Sequence, residues 1–246
     1  MKNLFLVFLL ILASCGYQPL YKTNKNIVDL KINNYIWAIS SFLIIIMPFI
    51  VSVSRLKILG KSLALGIVAL GVDLSWGYTG LLSLGQGIFF TLGGYAIAMY
   101  LQLNSSDGLP NFFSLYDVES LPFFWVPFKS AYFTFFAIWL IPALLSCLLG
   151  FLVFRNRIKG VYFSILTQAA LLVFYNGINS QQKLINGTNG LPTPNTKLFG
   201  YLVGDPSTQK FFFYISAILL LLSYLFCKWL VNKRFGRILL AIRDDE

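Results

Sequence analysis

The sequence contains no histidine, few charges and only three cysteines, and these shortages exclude several classes of function. Without histidine, the chain has no His-based catalytic triad, no imidazole metal ligand and no access to the commonest general base. Its three cysteines show no pairing pattern, so the sequence predicts neither a disulfide framework nor a metal site. The sequence also lacks a G-x-x-x-x-G-K-[ST] phosphate loop. We therefore predict that the chain is not an enzyme and has no cofactor.

The shortage of charge predicts a membrane protein. Charged residues make up 11% of the 246 residues, hydrophobic residues make up 57%, and the mean hydropathy is +0.74. Soluble domains contain about 25% charged residues, so this chain cannot cover a globule with a wetted surface. Its apolar residues also form runs of about 20, the length that crosses a bilayer. The chain is therefore expected to move a solute across a bilayer or to anchor something in one.

The apolar runs predict an all-α, polytopic transmembrane helical bundle of about six spans. They cover residues 36–54, 58–76, 84–103, 131–154, 160–178 and 211–231. Residues 60–94 contain nine of the nineteen glycines, and glycine can break a helix or let helices pack closely. We predict a discontinuous segment at about residues 75–87, beside a translocation path. Tight packing of small residues, with no role in a path, is the alternative.

Basic residues predict which loops face the cytoplasm, where they concentrate in membrane proteins. The link after the fourth span and the segment after the sixth are basic, so both are expected to be cytoplasmic. The loops 104–130 and 179–210 are then external. Arg55, Lys57 and Lys61 do not fit, because the charge rule places them inside and simple alternation of spans places them outside. An extra partial crossing in the glycine-rich region would reconcile the two.

Three motifs resemble the permease subunits of bacterial ABC importers for branched-chain amino acids and related small polar solutes. The first is GVDLSWGYTGLLSLGQGIFFTLGGYAIAMYL at 71–101, whose WGYTG and SLGQG wording is closest to the urea-uptake subgroup. The second is NGTNGLP at 186–192, and the third is RFGRILLAIRDDE at 234–246. The resemblance implies that residues 31–246 form a partial ABC permease domain in a bacterial inner membrane, truncated where the family continues.

Residues 1–30 form a separate region that we predict to be a signal-like or lipoprotein-like leader. An apolar run of signal-peptide proportions follows Lys2. The string SCGYQPLY at 14–21 resembles the start of outer-membrane lipoproteins that assist lipopolysaccharide assembly, which implies lipidation of Cys15. An uncleaved leader, or a misplaced start codon joined to a permease, is the alternative interpretation.

The resemblance to importer permeases also implies partners. Two cytoplasmic ATPase subunits hydrolyse ATP, a periplasmic solute-binding protein delivers the solute, and a second permease subunit completes the path within the membrane lipid; nucleic acid is not an expected partner. The third motif implies ATPase coupling through an apolar knob, a glycine, charged rims and acidic residues: Phe235, Gly236, Arg237, Arg243, Asp244 and Glu246. The acidic residues are expected at the N-terminus of a short following helix, where carboxylates complement the dipole.

A path for a small neutral solute such as urea requires polar side chains rather than fixed charge. The glycine-rich segment supplies Ser75, Tyr78, Thr79, Ser83 and Gln86. Asp73 is an acid within a predicted span and therefore another candidate, with a structural hydrogen bond to nearby backbone as the alternative. Urea is the predicted substrate. A branched-chain amino-acid or short-amide permease, or a lipoprotein-led membrane fragment without transport activity, are the alternatives.

Overall fold

The structure is a computed structural model that describes residues 44, 46–105, 109–155, 160–191, 193 and 196–244. Long helices make up most of it, joined by short helical turns and one two-stranded antiparallel hairpin. The elements in chain order are α1 (Val53–Thr79), α2 (Gln86–Ser105), α3 (Asn111–Ser114), a 3₁₀ helix (Phe123–Lys129), α4 (Ala131–Arg155), α5 (Gly160–Ser180), α6 (Gln182–Ile185), a 3₁₀ turn (Gly187–Asn189), β1 (Lys197–Leu198), β2 (Tyr201–Leu202), α7 (Pro206–Val231) and α8 (Arg234–Asp244).

The helices confirm the all-α, membrane-spanning fold. Four of them, α1, α4, α5 and α7, are long and apolar enough to cross a membrane. The 27 residues of α1 extend about 40 Å at a rise of about 1.5 Å per residue, against a hydrocarbon core of about 30 Å. Helix α2, with 20 residues, overlaps the predicted third span but is not among these four, so that span stays a prediction. The predicted first span, 36–54, lies mostly outside the described residues, among which 46–50 are helical. The predicted leader 1–30 and Cys15 also lie outside them.

The chain divides into two compact units. The first unit contains the described residues up to Gly80 and those from Gln209 onward. In its core, Leu56 and Leu63 of α1 pack against Phe213 of α7, so the N-terminal parts of these two helices lie together. Helix α8, which follows the C-terminal end of α7, packs against the C-terminal end of α1. Helices α1 and α7 therefore run parallel.

The parallel packing helps to decide on which side of the membrane Arg55, Lys57 and Lys61 lie, a point on which the indications from the sequence conflict. If the basic region after α7 is cytoplasmic, the parallel helix α1 starts on the opposite face of the membrane. Arg55, Lys57 and Lys61 belong to the first turns of α1 and are then external, as simple alternation of spans requires. The packing of α1 on α7 therefore favours simple alternation over the extra partial crossing.

The second unit runs from Leu81 to Thr208. Helices α2 and α4 pack along each other, and a cluster of buried side chains from α2, α3, the 3₁₀ helix and α4 forms its core, including Met99, Phe113, Trp125 and Ala137. This core lies at the C-terminal end of α2 and the N-terminal end of α4. The predicted external loop 104–130 is therefore, where the structure describes it, a folded cap of helical turns.

Candidate functional site

The predicted discontinuous segment is an ordered break between α1 and α2. Helix α1 ends at Gly80, which has a left-handed backbone (φ 73°) and whose amide donates to the Trp76 carbonyl at 3.1 Å. The non-helical stretch continues to Gly85, and α2 begins at Gln86. The break is thus narrower than the predicted 75–87. Residues 75–79 stay helical because the chain leaves the helix only where a glycine permits the left-handed conformation.

Two hydroxyl groups on α5 hold the break. Ser164 Oγ donates to the Leu82 carbonyl at 2.7 Å, and the Leu84 amide donates to Thr167 Oγ1 at 3.1 Å. A Cβ at Gly85 would lie 3.2 Å from the Thr167 carbonyl oxygen, so the backbone approaches α5 closely there. Non-helical backbone at membrane depth must be satisfied by protein or water. Here the neighbouring span satisfies it.

The predicted path residues on α1 fall into two groups: two hydroxyls that bond to their own helix, and two side chains that lie near α7. Ser75 Oγ donates to the Val72 carbonyl at 2.9 Å, and Thr79 Oγ1 donates to the Ser75 carbonyl, so both hydroxyls are engaged by their own helix. Asp73 and Tyr78 are half-buried and lie close enough to Cys227 of α7 for electrostatic interaction among the three. Both residues therefore lie in the part of α1 that is near Cys227 of α7, within the first unit.

The remaining path candidates belong to the second unit. Ser83 is buried within the break, and Gln86 is half-buried at the first position of α2. Both lie in the stretch that Ser164 and Thr167 hold in place.

The predicted coupling segment is an amphipathic helix. Its apolar residues recur at helical spacing from Phe235 through Ile238 and Leu239, which explains why the segment is already helical from Arg234. Phe235 and Ile238 are 46% and 57% exposed, and Arg237 is exposed beside them. This leaves an apolar edge with a basic neighbour on the surface of α8.

The sequence prediction for the acidic end of this segment was wrong. Asp244 was expected to begin a following helix, but it is the last residue of α8. The apolar periodicity that starts at Phe235 keeps the chain helical through Asp244, so this residue belongs to the helix that begins at Arg234. Asp245 and Glu246 lie outside the described residues, so the predicted role of Glu246 stays a prediction.

Arg243, predicted to form a charged rim, is exposed and contacts the end of α1. Its Nη1 donates to the Gly77 carbonyl at 3.2 Å, and a Cβ at Gly80 would lie 3.3 Å from Arg243 Cγ. At the other end of α8, buried Gly236 packs so closely against the Val231 carbonyl that a Cβ would overlap it. The glycine permits the sharp turn from α7 into α8, and the arginine joins α8 to α1.

Residues 186–191 of the NGTNGLP motif form a compact turn that follows α5 and α6. Asn186 is buried with a left-handed backbone (φ 53°), and its Nδ2 donates to the Gly190 carbonyl at 2.6 Å. A Cβ at Gly187 would overlap the carbonyl oxygen of Asn179, so only glycine fits there. The Trp125 indole donates to the Leu184 carbonyl at 2.9 Å. These contacts join the turn to the aromatic core of the second unit.

The hydrogen bonds from Ser164 and Thr167 to the break were not predicted from the sequence. Ser164 and Thr167 stand three residues apart on a span, a spacing that puts both on one helix face. Two hydroxyls on one face of a span, in a chain that also contains a glycine-rich segment, were the sequence signal for these contacts. Among the other polar residues of α5, Gln168 and Asn176 are exposed and Asn179 is half-buried.

The long apolar helices, together with the hydroxyl-supported break and the amphipathic helix α8, are those of a multi-pass membrane protein. Residues 54–246 match the family described as "Branched-chain amino acid transport system / permease component". The chain belongs to this family. That description agrees with the prediction that the chain is a transport component rather than an enzyme.

Curated relatives support the same family. The chain is 29% identical, over 220 residues, to the high-affinity branched-chain amino acid transport system permease protein LivM of Escherichia coli (strain K12). It is equally similar to the protein of the same name from Salmonella typhimurium (strain LT2). Each match covers 81% of this chain and 46% of the relative. The chain thus spans about half the length of the curated relatives that it matches. No solved structure matches the chain.

Proposed function

We propose that the chain is a transmembrane permease subunit of an ATP-driven ABC importer in a bacterial inner membrane. The observation that carries the proposal is the family match over residues 54–246, because this range contains both the helix break and α8. A transporter needs a place where the path can open and a surface through which ATP hydrolysis can act. The break from Gly80 to Gly85 and the exposed edge of α8 supply candidates for each.

The proposed solute path involves the residues around the break. Non-helical backbone in a membrane protein persists where it is buried in protein or lines a water-filled cavity. Ser83 and Gln86 lie in and beside the break, and Asp73 and Tyr78 precede it by about two turns or less. Ser83 and Gln86 offer a hydroxyl and an amide group to a small polar solute, and Asp73 and Tyr78 offer a carboxylate and a phenol within the first unit.

The proposed ATPase contact is the exposed edge of α8. Phe235 and Ile238 present apolar surface and Arg237 presents a positive charge. An amphipathic helix that lays its apolar face in a groove is a common mode of protein recognition. ATP hydrolysis would come from two cytoplasmic ATPase subunits, with a second permease subunit and a periplasmic solute-binding protein completing the importer.

The first candidate substrate is a branched-chain amino acid, because the relatives that cover most of the chain are named for that class. Urea is the second candidate, because the WGYTG and SLGQG strings at 76–80 and 83–87 resemble the urea-uptake subgroup. Both solutes are small and rich in hydrogen-bonding groups. They differ in the apolar side chain and the charged groups that only the amino acid has.

Uptake by a deletion strain separates the candidates. Cells that lack the gene are compared with cells that carry it on a plasmid, with radiolabelled leucine and radiolabelled urea at micromolar concentration. Loss of leucine uptake, restored by the gene, supports the first candidate. Loss of urea uptake alone supports the second. If the deletion changes the uptake of neither solute, the substrate assignment fails.

A further inference from the structure

We propose that Arg243 is a positioning residue through which α8 controls the helix break at Gly80. The inference deepens the proposed function, since α8 is there the ATPase contact, but its first part concerns this chain alone. Its observations are the contacts of Arg243 with the last turn of α1.

Arg243 lies where a cation is most favourable at a helix end. The carbonyl groups of the last turn of a helix have no intrahelical partner and carry a partial negative charge. Nη1 of Arg243 donates to one of them, the Gly77 carbonyl, at 3.2 Å. The aliphatic part of the same side chain lies against Gly80, the residue at which α1 ends. The guanidinium thus caps α1 one turn before the chain enters the break.

The two ends of α8 are held differently from its middle. At its start, Gly236 lies tightly against the Val231 carbonyl of α7, and at its end Arg243 holds α1. Between them Phe235 and Ile238 remain exposed. A partner that pulls on this exposed edge therefore moves Arg243, and with it the last turn of α1. The residues after that turn are the break itself, so α8 acts as a lever on the break.

Hydrogen–deuterium exchange in detergent tests the part of the inference that needs no partner. The substitution Arg243→Gln removes the charge, and we expect exchange at residues 76–81 to increase about two- to fivefold, the range for a cation at a helix C-terminus. Arg243→Lys, which can still donate to the Gly77 carbonyl, should give less than half of that increase. Arg234→Gln is the matched control, because it removes an exposed arginine at the other end of the same helix.

The same measurement with the cognate ATPase subunits and a non-hydrolysable ATP analogue tests the lever. Wild-type chain should change its exchange at residues 76–85 when nucleotide is added. The Arg243→Gln chain, compared at the same amount of bound ATPase as measured by pull-down, should show no such change.

Two failures are distinguishable. If Arg243→Gln leaves exchange at 76–81 equal to that of the Arg234→Gln control, or keeps the nucleotide response intact, the role of Arg243 is overturned. If Arg243→Gln raises exchange but no ATPase binds to the wild-type chain, the proposed function fails in its coupling part and the lever fails with it. Only the stabilisation of the C-terminal end of α1 by Arg243 then remains supported.

Discussion

Ser164 donates a 2.7 Å hydrogen bond to the carbonyl oxygen of Leu82, across 82 positions of sequence. One helical turn further along α5, Thr167 accepts the amide of Leu84 at 3.1 Å and donates to the Ser164 carbonyl at 3.0 Å. The backbone between α1 and α2 is therefore held by two side chains of another span. A break that is held in this way has a defined conformation.

The first prediction concerns the Thr167 hydroxyl. Thr167→Val keeps the shape of the side chain and leaves the Leu84 amide without its partner, so we expect a loss of about 1 kcal/mol in the free energy of unfolding. Thermal unfolding in detergent measures it. Thr167→Ser should restore most of the loss. Ser180→Ala is the control, because that hydroxyl on the same helix bonds only to the local Gly177 carbonyl at 2.9 Å. Equal melting temperatures for Thr167→Val and wild type would contradict the prediction.

The second prediction concerns the turn after α5. A Cβ at Gly187 overlaps the Asn179 carbonyl oxygen and lies 3.0 Å from that of Ile178, so Gly187→Ala forces backbone atoms apart. We expect a cost of about 1–3 kcal/mol, as for other overpacked sites, seen as a lower melting temperature. Gly177→Ala, with open space around its Cβ, should unfold at or above the wild-type temperature. The account of this turn fails if the two variants unfold alike.

The third prediction concerns the turn into α8. Gly236→Ala places a methyl group against the Val231 carbonyl, so α8 must shift relative to α7. We expect co-purification of the ATPase subunits to fall at least about fivefold, which corresponds to about 1 kcal/mol of binding energy. Gly150→Ala in α4 serves as the control, because its Cβ meets only the Phe154 ring, at an ordinary 3.9 Å. Full ATPase recovery with Gly236→Ala would show that the position of α8 does not matter for docking.

The fourth prediction concerns Asp73. Ionisable groups within a membrane span are functional candidates, and Asp73 lies half-buried near Tyr78 and Cys227. Asp73→Asn keeps the size of the side chain and removes its charge. We expect solute uptake to fall at least about tenfold while the free energy of unfolding changes by less than about 0.5 kcal/mol. A large drop in stability, with uptake reduced only in proportion to the folded protein, would assign Asp73 a structural role.

Much of the fold was predictable from sequence, because apolar runs and glycine density act locally. The runs at 131–154, 160–178 and 211–231 match α4, α5 and α7 to within a few residues. The glycine-rich segment indicated the break, but not its limits. The hydroxyls of Ser75 and Thr79 bond to their own helix, which lets α1 continue to Gly80.

The contacts between distant segments could not be predicted in the same way. Arg243 looked like part of a basic surface, because nothing in the local sequence indicates that α8 folds back on α1. The basic start of α1 gave conflicting signals for the same reason: its orientation follows from packing on α7, through Leu56, Leu63 and Phe213. Ser164 and Thr167 were overlooked because single hydroxyls in an apolar helix usually bond to their own backbone.

ATP-dependent uptake into proteoliposomes tests the central claim most directly. The vesicles contain the chain, a second permease subunit and the ATPase subunits, with the solute-binding protein outside and ATP inside. We expect radiolabelled leucine or urea to accumulate only when ATP is present. Accumulation should stop when the chain is omitted and should fall when the chain carries Gly236→Ala. Accumulation that is the same without ATP, or without this chain, would contradict its assignment as a permease subunit.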